Sequence, residues 1–259
     1  MRIFKKKKDF PTKIFVIGSL FGLLILGAFI FLIKINLFSI NQFEQRRMVS
    51  QEKYSSKDPF ITKVLTLKDL IKTPIINDFD PRQGSENGKV AIVYFTDFEC
   101  GFCYQQEKEI RKVMAEFEDD VFLIRKDYPK IDTNTFSWRA SVAGRCALEQ
   151  GKFWKFHDAL YEEISSKGKI DNNKIESEEY SSPDFFASLA SDLGMRKSLF
   201  KNCLEDEEII TLIQDNIIEA EALGISGIPF IYINGKEIMG EINYEDLKKI
   251  ITKELEGRD

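Results

Sequence analysis

The sequence predicts an α/β domain with a helical insertion ahead of its last two strands, carried behind a single N-terminal apolar span. Three observations predict it. A β-branched and aromatic run, Lys89 to Phe95, leads directly into a Cys-x-x-Cys pair that opens an amphipathic helix. A series of helical stretches follows the second strand. Near the C-terminus, Asn234-Gly235 sits between two apolar runs, the strongest short hairpin signal.

Composition sets the outer limits. With 43% hydrophobic and 31% charged residues among 259, the chain is that of a globular protein and has room for one substantial domain plus appendages. Charge is unevenly placed. The first 33 residues hold six basic groups (Arg2, Lys5, Lys6, Lys7, Lys8, Lys13) and one acid, Asp9. Of the chain's 37 basic and 42 acidic groups, the remainder therefore keeps 31 and 41. So acidic a body is unsuited to nucleic acid, which needs clustered positive charge.

Ile14 to Ile33 is an uncharged run of Ile, Leu, Phe, Val, Gly, Ala and one Ser. As a helix it would rise about 30 Å, the thickness of a bilayer's hydrocarbon core. The lysines before it place the N-terminus in the cytoplasm and everything after it outside. The run is longer than a signal-peptide core and lacks a small-x-small cleavage site, so an uncleaved anchor is expected. The organisation expected is a basic tail at 1–13, an anchor at 14–33, a linker and entry segment at 34–79, and the α/β domain at 80–259. The helical insertion is expected at about 134–206.

Within the entry segment, Pro59 to Pro74 predicts a short helix with Leu65, Leu67, Leu70 and Ile71 on its apolar face. Pro81 to Gly88 is turn chemistry. The strand Lys89–Phe95 comes next, then a helix from Cys100 marked by Ile110, Val113, Met114 and Phe117. Val121 to Ile124 predicts a second strand, ended near Pro129. Helices are expected at Phe136–Gln150, Phe153–Ile164, Pro183–Leu193 and Lys197–Leu204, with a polar loop from Ser165 to Ser182. Ile209, Leu212, Ile213, Ile217 and Ala220 stripe a longer helix that stops at Gly224. The hairpin Ile228–Met239 and an amphipathic helix, Tyr244–Leu255, close the chain.

Cys100-Gly101-Phe102-Cys103 carries the chemistry. A two-residue spacer on one helical turn puts the sulfurs within bridging reach. At the helix start, unpaired N–H groups and the helix dipole favour a thiolate at Cys100, the species that attacks disulfides. Cys103 is then placed to resolve the mixed disulfide. The competing readings are half of a zinc knuckle or an inert bridge. A zinc site wants a second close ligand pair, whereas Cys146 and Cys203 are isolated and His157 is the single histidine. No metal and no cofactor is expected.

Three blocks in this order, VYFTDFECGFC (Val93–Cys103), GKFWKFHDALY (Gly151–Tyr161) and GISGIPFIYING (Gly224–Gly235), make the sequence resemble the DsbA-like thioredoxin-fold oxidoreductases of bacterial envelopes. The resemblance runs from about Asp80 to the C-terminus. It implies a thioredoxin fold with an inserted helical domain. It also implies a cis Pro229 against the Cys-x-x-Cys pair, with Ile228 and the adjoining strand binding extended substrate. Read without the resemblance, Pro229 is the first residue of a strand.

Three features depart from the family. Phe102 stands where strongly oxidising members have a histidine, and Gly101 where proline is common. Tyr94 takes the place of a buried carboxylate. Asp97 and Glu99, close to Cys100 in sequence, would raise its pKa.

Some relatives bridge positions such as Cys146 and Cys203; the alternative is two buried free thiols. His157 reads as a hydrogen-bonded structural residue rather than a catalyst. The expected partners are exported or unfolded proteins and a membrane redox partner that recharges the pair. A tethered chaperone with a vestigial Cys-x-x-Cys, or a dedicated reductant, are the rival functions.

Overall fold

The computed structural model describes residues 67–85, 87–166, 170–171, 174–175 and 180–257. The expected anchor Ile14–Ile33, the tether after it and the first part of Pro59–Pro74 lie outside the described residues. Among the described residues, no helix is long and apolar enough to cross a membrane.

From the expected entry helix, one turn is described, α1 (Leu67–Leu70). Then come β1 (Arg82–Gly84), β2 (Val90–Thr96), α2 (Gly101–Glu116) and β3 (Val121–Asp127). The helical series is α3 (Phe136–Glu149), α4 (Phe153–Ser166), α5 (Pro183–Asp192), α6 (Lys197–Cys203) and α7 (Glu207–Ala222). A two-residue hairpin, β4 (Ile170–Asp171) with β5 (Lys174–Ile175), falls inside the expected polar loop. The chain finishes with β6 (Phe230–Ile233), β7 (Lys236–Met239) and α8 (Tyr244–Glu256).

The main sheet has the order β1-β3-β2-β6-β7. β2 and β3 run parallel through the crossover α2, and the other pairings are antiparallel. β2 is central and buried on both sides, which is why it reads as a continuous apolar run rather than an alternating one. One face, with Ile92 and Tyr94, packs on α2 and α8 through Cys103, Ile110, Val113, Leu247 and Ile251. The other, with Val93 and Phe95, packs against Ala220 of α7 and Ile225. A third core, built from α3 to α7, holds Phe156, Phe186, Phe200 and Ile213.

The hairpin at Asn234-Gly235 closes with Ile233 opposite Lys236. Both loop residues have positive φ, 47° and 83°, the combination that favours Asn-Gly at this turn.

One element differs from its expected extent. Arg82–Gly84 is not only turn but a short edge strand, antiparallel to β3. Its pairing is backbone to backbone, so no side-chain pattern marks it. β3 continues past the apolar Val121–Ile124 toward its expected end near Pro129, through Arg125, Lys126 and Asp127, which are buried in ion pairs; those of Lys126 and Asp127 reach Asp80 and Arg145, distant in sequence.

Cys146 on α3 and Cys203 at the end of α6 form a disulfide, with Cα atoms 5.7 Å apart across 57 residues of sequence. Replacing both with alanine is expected to lower stability by about 2–4 kcal/mol, through the freedom returned to the unfolded chain. Urea unfolding of the two forms measures it, and a change below about 1 kcal/mol would assign the bridge no stabilising role.

Candidate active site

β2 delivers the chain to the site, and Asp97, Phe98 and Glu99 turn it into α2. Cys100 is the N-cap, with extended backbone (φ −87°, ψ 108°), and its Sγ accepts a hydrogen bond from Cys103 N at 3.0 Å. Cys100 N donates to the Asp97 carbonyl at 3.2 Å. No acidic residue occupies the first turn of α2, so nothing there offsets the positive end of the helix dipole. The two sulfurs are bridged, Cα to Cα 5.2 Å. Cys103 is fully buried, whereas Cys100 is half-buried. Between them Gly101 is buried and Phe102 is 41% exposed. An incoming sulfur can therefore reach Cys100 and not Cys103.

The Ile228–Pro229 peptide bond is cis. Pro229 is buried and its carbonyl accepts from Gly240 N at 3.0 Å, while Ile228 is half-buried. Cys100 and Ile228 line one cleft of about 470 Å³, whose far wall includes Tyr128, Ile131, Ile217 and Glu221. Ile131 and Phe102 supply exposed apolar surface around it.

Beneath the pair, the buried Tyr94 hydroxyl donates to the Cys103 carbonyl at 2.8 Å. Burial pushes its pKa far above the ordinary phenol value, so it anchors the helix start and does not ionise. Asp97 is buried beside Cys100. Its Oδ1 accepts from Glu99 N (3.0 Å) and its Oδ2 from Ser137 Oγ (2.7 Å). Burial nevertheless raises its pKa to about 6; those two bonds and the Arg125 charge oppose the shift, and the Glu99 charge adds to it.

Glu99 is paired with Lys130 at 2.7 Å and accepts from Ser137 N at the start of α3, 3.2 Å. The negative charge that the sequence places next to Cys100 is thus largely compensated. The bond from Ser137 to Asp97, 40 residues apart, has no signal in the sequence.

The Asp97 shift has a sign. Its folded pKa of about 6 exceeds the ordinary 3.8, so the folded state holds the extra proton between those values. Stability falls as pH rises through that window, by about 3 kcal/mol at full ionisation. Asp97→Asn is therefore expected to stabilise the protein at pH 7 and to give no gain below about pH 4. Thermal unfolding at the two pH values checks it; a loss at pH 7 contradicts it.

His157 is buried on α4, ringed by Phe98, Phe153, Trp154 and Tyr161. Its Nδ1 is 3.0 Å from Asp158 Oδ1, and its Nε2 is 2.9 Å from Glu107 Oε2 but out of line for a hydrogen bond. The Arg111 guanidinium bridges both carboxylates. Burial works against the charged form of Glu107 and of Asp158, yet His157 and Arg111 outweigh it and hold both below the usual carboxylate value. The three potential metal ligands lie within 4.8 Å of one another. With Arg111 already on both acids, this is an ion-pair cluster that joins α2 to α4.

Known proteins resemble this chain over its α/β domain. A family model described as thioredoxin matches residues 77–253. The Na(+)/H(+) antiporter NhaA 1 of Salinispora arenicola is 25% identical over 187 residues, which is 72% of this chain and 26% of that protein. This chain thus spans about a quarter of the antiporter's length. Disulfide bond formation protein D of Bacillus subtilis is 25% identical over 193 residues, covering 69% of this chain and 78% of that protein. The structure of oxidised BdbD from Bacillus subtilis matches with a TM-score of 0.60 at 24% identity, over 71% of this chain and 97% of that one. At that identity the likeness is one of fold.

Proposed function

Because the chain belongs to the thioredoxin family, among its DsbA-like thiol–disulfide oxidoreductases, we propose that it is a membrane-anchored enzyme exchanging disulfides with exported proteins outside the cytoplasm. Cys100 is the nucleophile and Cys103 the resolving thiol. The observation that carries the reading is the unequal pair at the start of α2. The reachable sulfur of Cys100 sits at the N-cap and accepts a hydrogen bond from Cys103 N, over a partner that is fully buried.

Gly101 and Phe102 form the spacer, and Ile228 with Pro229 forms the opposite lip that takes extended substrate. The anchor is Ile14–Ile33, read from the sequence, and it holds residues 80–259 on the outer side of the cytoplasmic membrane. A membrane redox partner recharges the pair. The structural bridge Cys146–Cys203 is kept apart from the exchange by its position between two helices of the insertion.

The reduction potential tests the reading and gives the direction of electron flow. The full chain in detergent is equilibrated with glutathione buffers, and the Cys100–Cys103 couple is read by thiol labelling and mass spectrometry. A value near roughly −120 to −180 mV marks a disulfide donor or isomerase, and one near roughly −270 mV a reductant. A pair that does not cycle removes the enzyme from consideration.

A further inference from the structure

Thiol–disulfide exchange moves protons as well as electrons, and Tyr94, held un-ionised in the place of the usual buried carboxylate, carries none. A buried acid lies on the other side of Cys100. Asp97 lines the same cleft as Cys100 and Ile228, three residues before the nucleophile. It is fixed there by Glu99 N and Ser137 Oγ, and Lys130 N donates to that hydroxyl at 2.8 Å, so the Ser137 proton points to Asp97. We propose that Asp97 carries the proton exchanged with the client's sulfur at Cys100. The inference rests on the exchange activity proposed above and names the residue that handles its proton.

In the oxidising direction, a client thiol gives its proton to the Asp97 carboxylate. The client thiolate attacks Cys100 Sγ. The client–Cys100 bond forms as the Cys100–Cys103 bond breaks, and Cys103 leaves with the electron pair. The second client thiol passes its proton to the Cys103 thiolate, attacks its partner sulfur in the mixed disulfide and releases Cys100 as thiolate; Asp97 returns its proton to solvent, so that the client loses two electrons and the pair gains them. In the reducing direction the steps reverse, and protonated Asp97 gives its proton to the departing client sulfur. One residue therefore serves either direction.

A carboxyl poised near pH 6 suits both roles, since a general base works best close to the operating pH. Several charged and polar groups face it. Glu99 and Cys100 lie on its own segment and Arg125 on β3. Tyr128 and Lys130 follow β3, Ser137 is on α3, Tyr161 on α4 and Glu221 on α7.

The test is single-turnover exchange between the oxidised full chain in detergent and a reduced synthetic peptide with two cysteines, followed by tryptophan fluorescence from pH 5 to 8. The wild-type rate is expected to show a break near pH 6, on top of the peptide's own rising slope. In Asp97→Asn the break is expected to vanish and the rate at pH 7 to fall by about 10²-fold. Ser137→Ala removes a donor to the carboxylate and is expected to move the break to higher pH. It tests the same point should Asp97→Asn fold poorly.

A break near pH 6 that survives in Asp97→Asn overturns the inference. So does a break unmoved in Ser137→Ala. A wild type that does not exchange overturns the function proposed above, and this inference with it.

Discussion

Replacing Cys100 with serine is expected to abolish exchange with a dithiol peptide, a loss of at least about 10³-fold, because a serine hydroxyl is not ionised at neutral pH and forms no disulfide. Replacing Cys103 has a different signature. Cys100 remains half-exposed at the helix N-cap and still attacks, but nothing resolves the product. Cys103→Ser is therefore expected to accumulate a mixed disulfide when the peptide is supplied in its disulfide form, visible by non-reducing electrophoresis and intact mass. The asymmetry rests on burial, since Cys103 is inaccessible and its carbonyl is tied to Tyr94. If Cys103→Ser were silent and Cys100→Ser accumulated the adduct, the two roles would have to be exchanged.

The same geometry bears on how strong a nucleophile Cys100 is. The helix dipole and the Cys103 N–H favour its thiolate, and Glu99 opposes it less than its sequence position implies. Glu99 is neutralised by Lys130 across the loop, whereas Asp97, ionised above about pH 6, opposes the thiolate at neutral pH. No histidine or lysine from the spacer adds to the stabilisation, because those positions hold Gly101 and Phe102.

The strand, Cys-x-x-Cys pair and helix were legible because each has a strong pattern. Val90–Thr96 is apolar throughout, and Ile110 and Val113 recur on one face of α2. Asn234-Gly235 announced its hairpin through the positive φ that both positions need. What stayed hidden depends on partners remote in sequence. β1 pairs through its backbone, and Arg82-Gln83-Gly84 has no strand composition. Arg125-Lys126-Asp127 reads as a polar strand end, yet all three are buried. The site was half legible. Cys100, Cys103 and the Ile228–Pro229 turn stand out as motifs, whereas the bond from Ser137 to Asp97 exists only once α3 is packed against the turn into α2.

Arg145→Met is expected to destabilise the domain by about 3–5 kcal/mol, because it leaves buried carboxylates without their counter-charge. Arg145, from α3, reaches Asp127 of β3 through Nε at 2.6 Å and Asp80, just ahead of β1, through Nη2 at 3.1 Å. Asp80 is shared with Lys126 at 2.6 Å, Lys126 with Glu219 of α7 at 3.0 Å, and Asp127 with Arg125. Three cations and three acids balance with almost no solvent contact, and they tie the end of β3 to α3, α7 and the chain just ahead of β1. Burial alone would raise the Asp127 pKa; Arg145 and Arg125 reverse that and hold it below the ordinary carboxylate value. A depressed carboxylate contributes stability above its unfolded pKa, which is lost as pH falls through the lower folded one. The Asp127 pairs therefore resist mild acid, whereas burial raises the Glu219 pKa and makes its pair with Lys126 lose charge earlier as pH falls. With Arg145 gone, Asp127 keeps Arg125 and Asp80 keeps Lys126, but the cluster carries one uncompensated negative charge. Part of the stability of Arg145→Met is then expected to return as pH drops and an acid is protonated. Urea unfolding at pH 7 and pH 5 measures both effects. A Met variant within 1 kcal/mol of wild type at pH 7 would mean that water or rearranged partners compensate the cluster, and that shape rather than charge holds α3 against the sheet.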